Sequence, residues 1–143
     1  MNRRVVILFL LFSASLMAAA GAVGNWEKDS RGVLVSIARA PVKVRTWKNP
    51  YADNPDAIRA GEKLYRQHCA ECHGEDARGT NKAANLRMAD VQGATPGELA
   101  WVLRNGNLFK GMPSWSGLPD QRRWQIVAYI KSLGTSPVSA SRH

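Results

Sequence analysis

The chain has 143 residues, enough for one folded domain with appendages, and 45% of them are hydrophobic. Its 20 Lys and Arg against 11 Asp and Glu give a formal charge of +9, a surplus that bears on partners and encounter rates rather than on fold. With two Cys and three His in all, neither His68 nor His143 completes a four-ligand zinc set, and no phosphate loop, Ser-His-Asp set or carboxylate pair points to an enzyme class.

Met1-Asn2-Arg3-Arg4 is a short basic head, and residues 5–24 carry no charge. The strongly apolar part, Val5 to Phe12, gives way to small residues ending in Ala18-Ala19-Ala20. This is the form of a secretory signal peptide over residues 1–20. The alternative is an uncleaved membrane anchor, since about 20 apolar residues just span a bilayer; the small, weakly apolar second half favours cleavage. Either way the folded part is expected outside the cytoplasm. Export, and the lack of any recognition motif, argue against nucleic-acid binding. Membrane contact is expected only through an uncleaved N-terminal segment.

Residues 21–52 form a basic stretch with Lys28, Arg31, Arg39, Lys43, Arg45 and Lys48, interleaved with Trp26, Trp47 and Tyr51. The run Val33 to Ala38 shows no clear period, and Pro41, Pro50 and Pro55 break any long helix. The expectation is an extended arm that partly packs on the domain, with a basic docking arm as the alternative.

The domain itself is placed at residues 53–134, with 135–143 as a flexible tail. Asn54-Pro55-Asp56 starts a helix: an Asn cap, Pro at the first position and an acid in the first turn. The helix is expected to run to about Gln67, with Ile58, Gly61, Leu64 and Tyr65 facing inward. Gly61 in a helix interior costs about 1 kcal/mol relative to Ala, which suggests the close approach of a second helix.

Cys69-Ala70-Glu71-Cys72-His73 follows at once. Cys-x-x-Cys-His is the attachment signature for a c-type haem. Cys69 and Cys72 on one turn of backbone can each form a thioether to a haem vinyl group, and His73 then offers its imidazole to the iron. The competing fates are a zinc half-site, a disulfide, which an oxidising compartment favours, and a thioredoxin-like pair, which wants a βαβ setting absent here. His68, beside the motif, is expected to be exposed and idle.

Thr95-Pro96-Gly97-Glu98 is a capping box opening a helix through Leu103 that stops at Asn105-Gly106. Met112 stands in the loop Lys110-Gly111-Met112-Pro113-Ser114-Trp115, and it is the expected second iron ligand, 39 residues after His73. Gly111 permits close backbone approach and Pro113 stiffens the loop. Met88 is read as ordinary packing. A last helix, from Pro119-Asp120 to Leu133 with Gly134 just past its end, carries more apolar residues than one stripe can use. One face meets the first helix, and residues before 53 are expected to cover Trp124 and Val127. No alternating strands are visible, so the domain is all-α.

With Cys69-x-x-Cys72-His73, the Gly111-Met112-Pro113-x-Trp115 loop and the aromatic-rich last helix in this order, residues 53–134 resemble a class I monohaem cytochrome c of the short bacterial exported kind. Gly61 and Tyr65, eight and four residues before Cys69, and Tyr129 on the last helix match that family's helix crossing. The resemblance implies three main helices around one covalent haem c, with His73 and Met112 as iron ligands. It also implies electron transfer without a substrate site, and a place in the periplasm, soluble or tethered to the outer face of the inner membrane. Leu86, Leu99, Trp101, Leu103 and Phe109 are candidate apolar cover for the haem. Lys110, Arg78, Lys82 and Arg87 are candidates to steer redox partners with an acidic docking surface. A dedicated haem subunit of a dehydrogenase or oxidase complex is the alternative, and a catalytic or gas-sensing haem the third reading. One departure is Ala84, near which the family usually has a proline whose carbonyl receives the proximal imidazole N–H.

Overall fold

The computed structural model describes residues 32–135; the signal-like segment 1–20 and residues 136–143 of the tail lie outside them. The described residues contain helices α1 (residues 32–38), α2 (Pro55–His68), α3 (Ala70–His73), α4 (Ala89–Gly93), α5 (Pro96–Asn105) and α6 (Asp120–Thr135). Two 3-10 turns, Val42–Thr46 and Leu108–Lys110, lie between them. Among the described residues there is no strand, only an isolated antiparallel bridge between Asn107 and Met112. None of their helices is long and apolar enough to cross a membrane.

Local chemistry sets the helix starts. Asn54 Oδ1 accepts from the Asp56 and Ala57 amides at 2.9 and 3.1 Å, satisfying donors that the first turn leaves open. At α5 the Thr95 hydroxyl accepts from Glu98 N and the Glu98 carboxylate accepts from Thr95 N, a complete capping box. Gly106 ends α5 at φ 68°.

The most extensive packing is α2 on α6, and Gly61 makes it possible. A Cβ on Gly61 would press on the Gln125 carbonyl, lying 2.6 Å from its carbon and 3.0 Å from Tyr129 Cβ. Beside this contact the Tyr65 and Tyr129 rings sit 5.3 Å apart at 50°. Two apolar clusters result. The first joins Val91, Leu99, Leu103, Ile126, Val127 and Ile130; the second joins Tyr65, Cys69, Ala70, Ala77 and Leu133.

The arm differs from expectation in form. It packs on the domain as expected, but in place of an extended course it forms α1 and the turn Val42–Thr46. Val33 and Ile37, one helical turn apart, rest on the first cluster, so this stretch of helix gains apolar cover from the domain that its own sequence does not supply. Val44 is 1% exposed, and its carbonyl occupies the space a side chain at Gly97 would need. Arg45 Nε pairs with the nearly buried Glu98 carboxylate at 3.0 Å, and Asn49 Nδ2 donates to the Trp124 carbonyl at 2.9 Å. Val44→Ala should therefore cost the holoprotein about 2–3 kcal/mol in chemical denaturation, although it lies outside the haem-motif domain.

Gly134 is a second difference. It lies inside α6, not past its end, and the Gln92 side chain fills the place of its missing Cβ, with Cδ 2.8 Å away. From there Gln92 Nε2 donates to the Leu86 and Ile130 carbonyls at 2.7 and 3.0 Å, tying α4 to α6.

Candidate haem site

Residues 69–73 form one helical turn directly after α2. Cys72 N and His73 N both donate to the Cys69 carbonyl, at 3.1 and 2.9 Å. The two cysteines are not bridged; Cys69 is buried and Cys72 half-buried. Burial, then the neighbouring Cys72, pushes the Cys69 thiol up to about 11. A neutral sulfur suits this position, and a thioether has no proton to lose.

The chain then folds back over the motif. Tyr65 OH donates to the Gly74 carbonyl at 2.6 Å, Gly79 N to the His73 carbonyl at 2.8 Å, and Thr80 Oγ1 to the Cys72 carbonyl at 2.5 Å. Burial, reinforced by Cys69, holds the Tyr65 proton well above the usual phenol range, so the hydroxyl stays a donor. Gly79, at φ 83°, lets residues 83–85 pass close: a Cβ there would be 2.7 Å from Asn85 N and 2.9 Å from Ala84 C. This passage brings the Ala84 carbonyl within 2.8 Å of His73 Nδ1. With the proton held on Nδ1, the imidazole lone pair lies on Nε2, the form an iron requires. The Ala84 carbonyl thus takes the acceptor role without a proline.

Met112 is held on both sides. Asn107 and Met112 exchange backbone hydrogen bonds, Asn107 N to Met112 O at 2.9 Å and Met112 N to Asn107 O at 3.0 Å. After it, Trp115 N donates to the Leu103 carbonyl at 2.9 Å and Ser114 Oγ to the Arg104 carbonyl at 2.6 Å. Arg123, 7% exposed, gathers the next carbonyls: its guanidinium donates to Trp115 O at 3.2 Å, Ser116 O at 3.1 Å and Leu118 O, and pairs with Asp120. Arg123→Met leaves these acceptors without their donor and should lower stability by about 2 kcal/mol, read from the denaturant midpoint.

The candidate ligands fall on different clusters. Cys69 belongs to the second, Met112 and Met88 rest on the first, and Leu86 touches both. Met88 also caps α4, its carbonyl accepting from Val91 N and Gln92 N at 3.1 and 3.0 Å. Two unbridged cysteines, an imidazole fixed by its Nδ1 bond and a thioether pinned in a braced loop fit a covalent haem. Leu86, Leu99 and Leu103 lie in or against the apolar interior, Trp101 is half-buried, and Phe109 is 92% exposed.

Three residues play parts their sequence context did not suggest. His68 is half-buried, not idle, with its ring 5.0 Å from that of Trp115, so it braces the loop after Met112. Arg123 reads as one of three cations on α6, beside Arg122 and Lys131, and its carbonyl partners lie in a loop no period predicts. Gly79 lies in a Gly-rich stretch typical of any loop. Among the four candidate steering cations, Arg78 pairs with Asp76 at 3.0 Å, Lys82 with Glu71 at 3.4 Å, and Arg87 Nε donates to the Asp76 carbonyl at 2.7 Å, while Lys110 is exposed.

A family model described as cytochrome C oxidase, cbb3-type, subunit III, matches residues 56–130. The chain is 28% identical over 138 residues to cytochrome c550 of Pseudomonas aeruginosa, covering 92% of each. It is 32% identical to the cbb3-type cytochrome c oxidase subunit CcoP of Rubrivivax gelatinosus, over 60% of this chain and 29% of that protein. Against the quinohemoprotein alcohol dehydrogenase ADH IIB of Pseudomonas putida it is 31% identical, over 73% of this chain and 15% of that one. The chain therefore spans nearly all of the first relative but under a third of the other two. Among solved structures, cytochrome CL from the marine methylotrophic bacterium Methylophaga aminisulfidivorans superposes with a TM-score of 0.52 at 25% identity, over 58% of this chain and 57% of that one.

Proposed function

Since the chain belongs to the c-type cytochrome family described as cytochrome C oxidase, cbb3-type, subunit III, we propose that it is an exported one-electron carrier in which Cys69 and Cys72 hold a single haem c and His73 and Met112 fill both axial positions of its iron. The observation that carries this reading is the His73 Nδ1 bond to the Ala84 carbonyl at 2.8 Å, within a pentapeptide whose two sulfurs are unbridged. Bound haem supplies an iron that passes between ferric and ferrous states. The chain's own residues keep the surroundings constant through that exchange. Ala84 holds the His73 ring in one orientation, the Asn107 bridge and the Arg123 contacts hold the loop of Met112, and a thioether ligand raises the reduction potential. His73 and Met112 are the residues that would hold the iron from the protein's side, and with both bound it would offer no open position to a substrate.

The signal at residues 1–20 and the domain at 53–134 belong to this reading, as does a redox partner with an acidic docking surface near Lys110. Attraction of that kind weakens as salt screens it. A second reading, a haem subunit dedicated to one oxidase or dehydrogenase, is favoured by the relatives in which a matching stretch sits within a much longer chain. The test is the visible spectrum of protein matured in a host with haem-attachment machinery, oxidised and reduced, with and without carbon monoxide. A covalent low-spin haem with a Met–iron charge-transfer band, indifferent to carbon monoxide, is expected. A haem that binds carbon monoxide moves the reading to catalysis or gas sensing, and no covalent haem overturns it.

A further inference from the structure

Asn107 is 7% exposed and sits directly opposite Met112 in the bridge that pins the ligand loop. Its side chain reaches away from that loop to α1, where Nδ2 donates to Ser36 Oγ at 2.7 Å. Ser36 in turn donates its hydroxyl proton to the Gly32 carbonyl at 2.9 Å. With that proton spent, the hydroxyl can only accept from Asn107, which fixes the amide with Nδ2 toward α1. Asn107 Oδ1 is then left buried, with no hydrogen-bond partner among the described residues. Among the described residues the bond to Ser36 is thus the one side-chain hydrogen bond orienting a buried amide next to Met112, and a buried amide that loses it has strong reason to turn. Gly32 also lies beside Lys110, whose Cε would be 3.7 Å from a Cβ at that position. The Lys110 side chain, two residues before Met112, therefore reaches residue 32 of α1. Both Ser36 and Gly32 fall outside residues 56–130, the stretch shared with the family.

We propose that Ser36 is a positioning residue for Met112: through Asn107, the arm before the haem domain holds the sixth ligand on the iron and sets how readily another ligand displaces it. This rests on the reading of Met112 as an axial ligand.

The test uses the full-length holoprotein in its ferric form, titrated with imidazole as a competing ligand while the Met–iron charge-transfer band is followed. Ser36→Ala should bind imidazole about tenfold more tightly than the parent, the factor expected from one buried hydrogen bond left unmade. Ser36→Thr, which keeps the hydroxyl, should return toward the parent value. Val44→Ala, which loosens the arm away from this relay, should lower the melting temperature and leave imidazole affinity unchanged. Should Ser36→Ala fail to mature, Asn107→Leu, which keeps the bulk and can neither donate to nor accept from Ser36, should give the same tenfold shift. Parental imidazole affinity in Ser36→Ala or Asn107→Leu overturns the proposal, as does an equal shift in Val44→Ala, which would mark a general loss of stability. A parent protein with no Met–iron band is a different failure: it removes Met112 as ligand, and this inference with it.

Discussion

Met112→Ala is expected to leave the haem attached, abolish the Met–iron charge-transfer band and turn a haem indifferent to carbon monoxide into one that binds it stoichiometrically. The attachment survives because Cys69 and Cys72 belong to the turn that follows α2 and make none of the hydrogen bonds that brace residues 107–118. The potential should fall, since a thioether opposite a histidine raises it. Met88→Ala is the control. Met88 rests on the same apolar cluster, so its loss should cost about 2–5 kcal/mol of stability while the band remains. If Met88→Ala loses the band and Met112→Ala keeps it, the ligand assignment is reversed.

Gly61→Ala carries the largest expected effect on folding. Replacing a mid-helix glycine by alanine ordinarily stabilises by about 1 kcal/mol. Here the added methyl meets the backbone of Gln125, not the end of a flexible side chain, so α6 must move away from α2. Overpacking of this kind costs about 1–3 kcal/mol and occasionally more. The displacement also disturbs the Tyr65–Tyr129 contact, so the clash should win by about 2 kcal/mol, and Gly61→Val should not accumulate as holoprotein. A Gly61→Ala holoprotein that melts at or above the parent temperature would show that the two helices sit further apart than the structure has them.

What could be read from the sequence was local chemistry with a fixed residue signature. The Asn54 cap and the capping box at Thr95 and Glu98 depend on residues within one turn, and a glycine inside a helix signals a close approach even though its partner, Gln125, is distant in sequence; the structure places all three as read. The arm was misread because Val33, Val35 and Ile37 are β-branched and the run is short, so neither propensity nor period favours a helix; Val33 and Ile37 become helical by lying on the first cluster. His68 and Arg123 escaped for a related reason. Each is placed by a loop that is distant in sequence, through Trp115 or the carbonyls of residues 115–118. Gly134 looked like a helix stop only because Gln92, which lies against it, belongs to a different helix.

The proximal support has a consequence for tolerance to substitution. Because the acceptor at His73 is a main-chain oxygen, the residue identity at position 84 is nearly free, and a saturation library there should retain coloured, low-spin holoprotein across most small and medium side chains. The constraint has moved five positions upstream, to a residue that makes no contact with the imidazole in the bonds described. At Gly79 the left-handed backbone and the close passage of residues 84 and 85 leave no room for any side chain, so the same library there should be almost colourless. The histidine's orientation is in this sense inherited from a glycine.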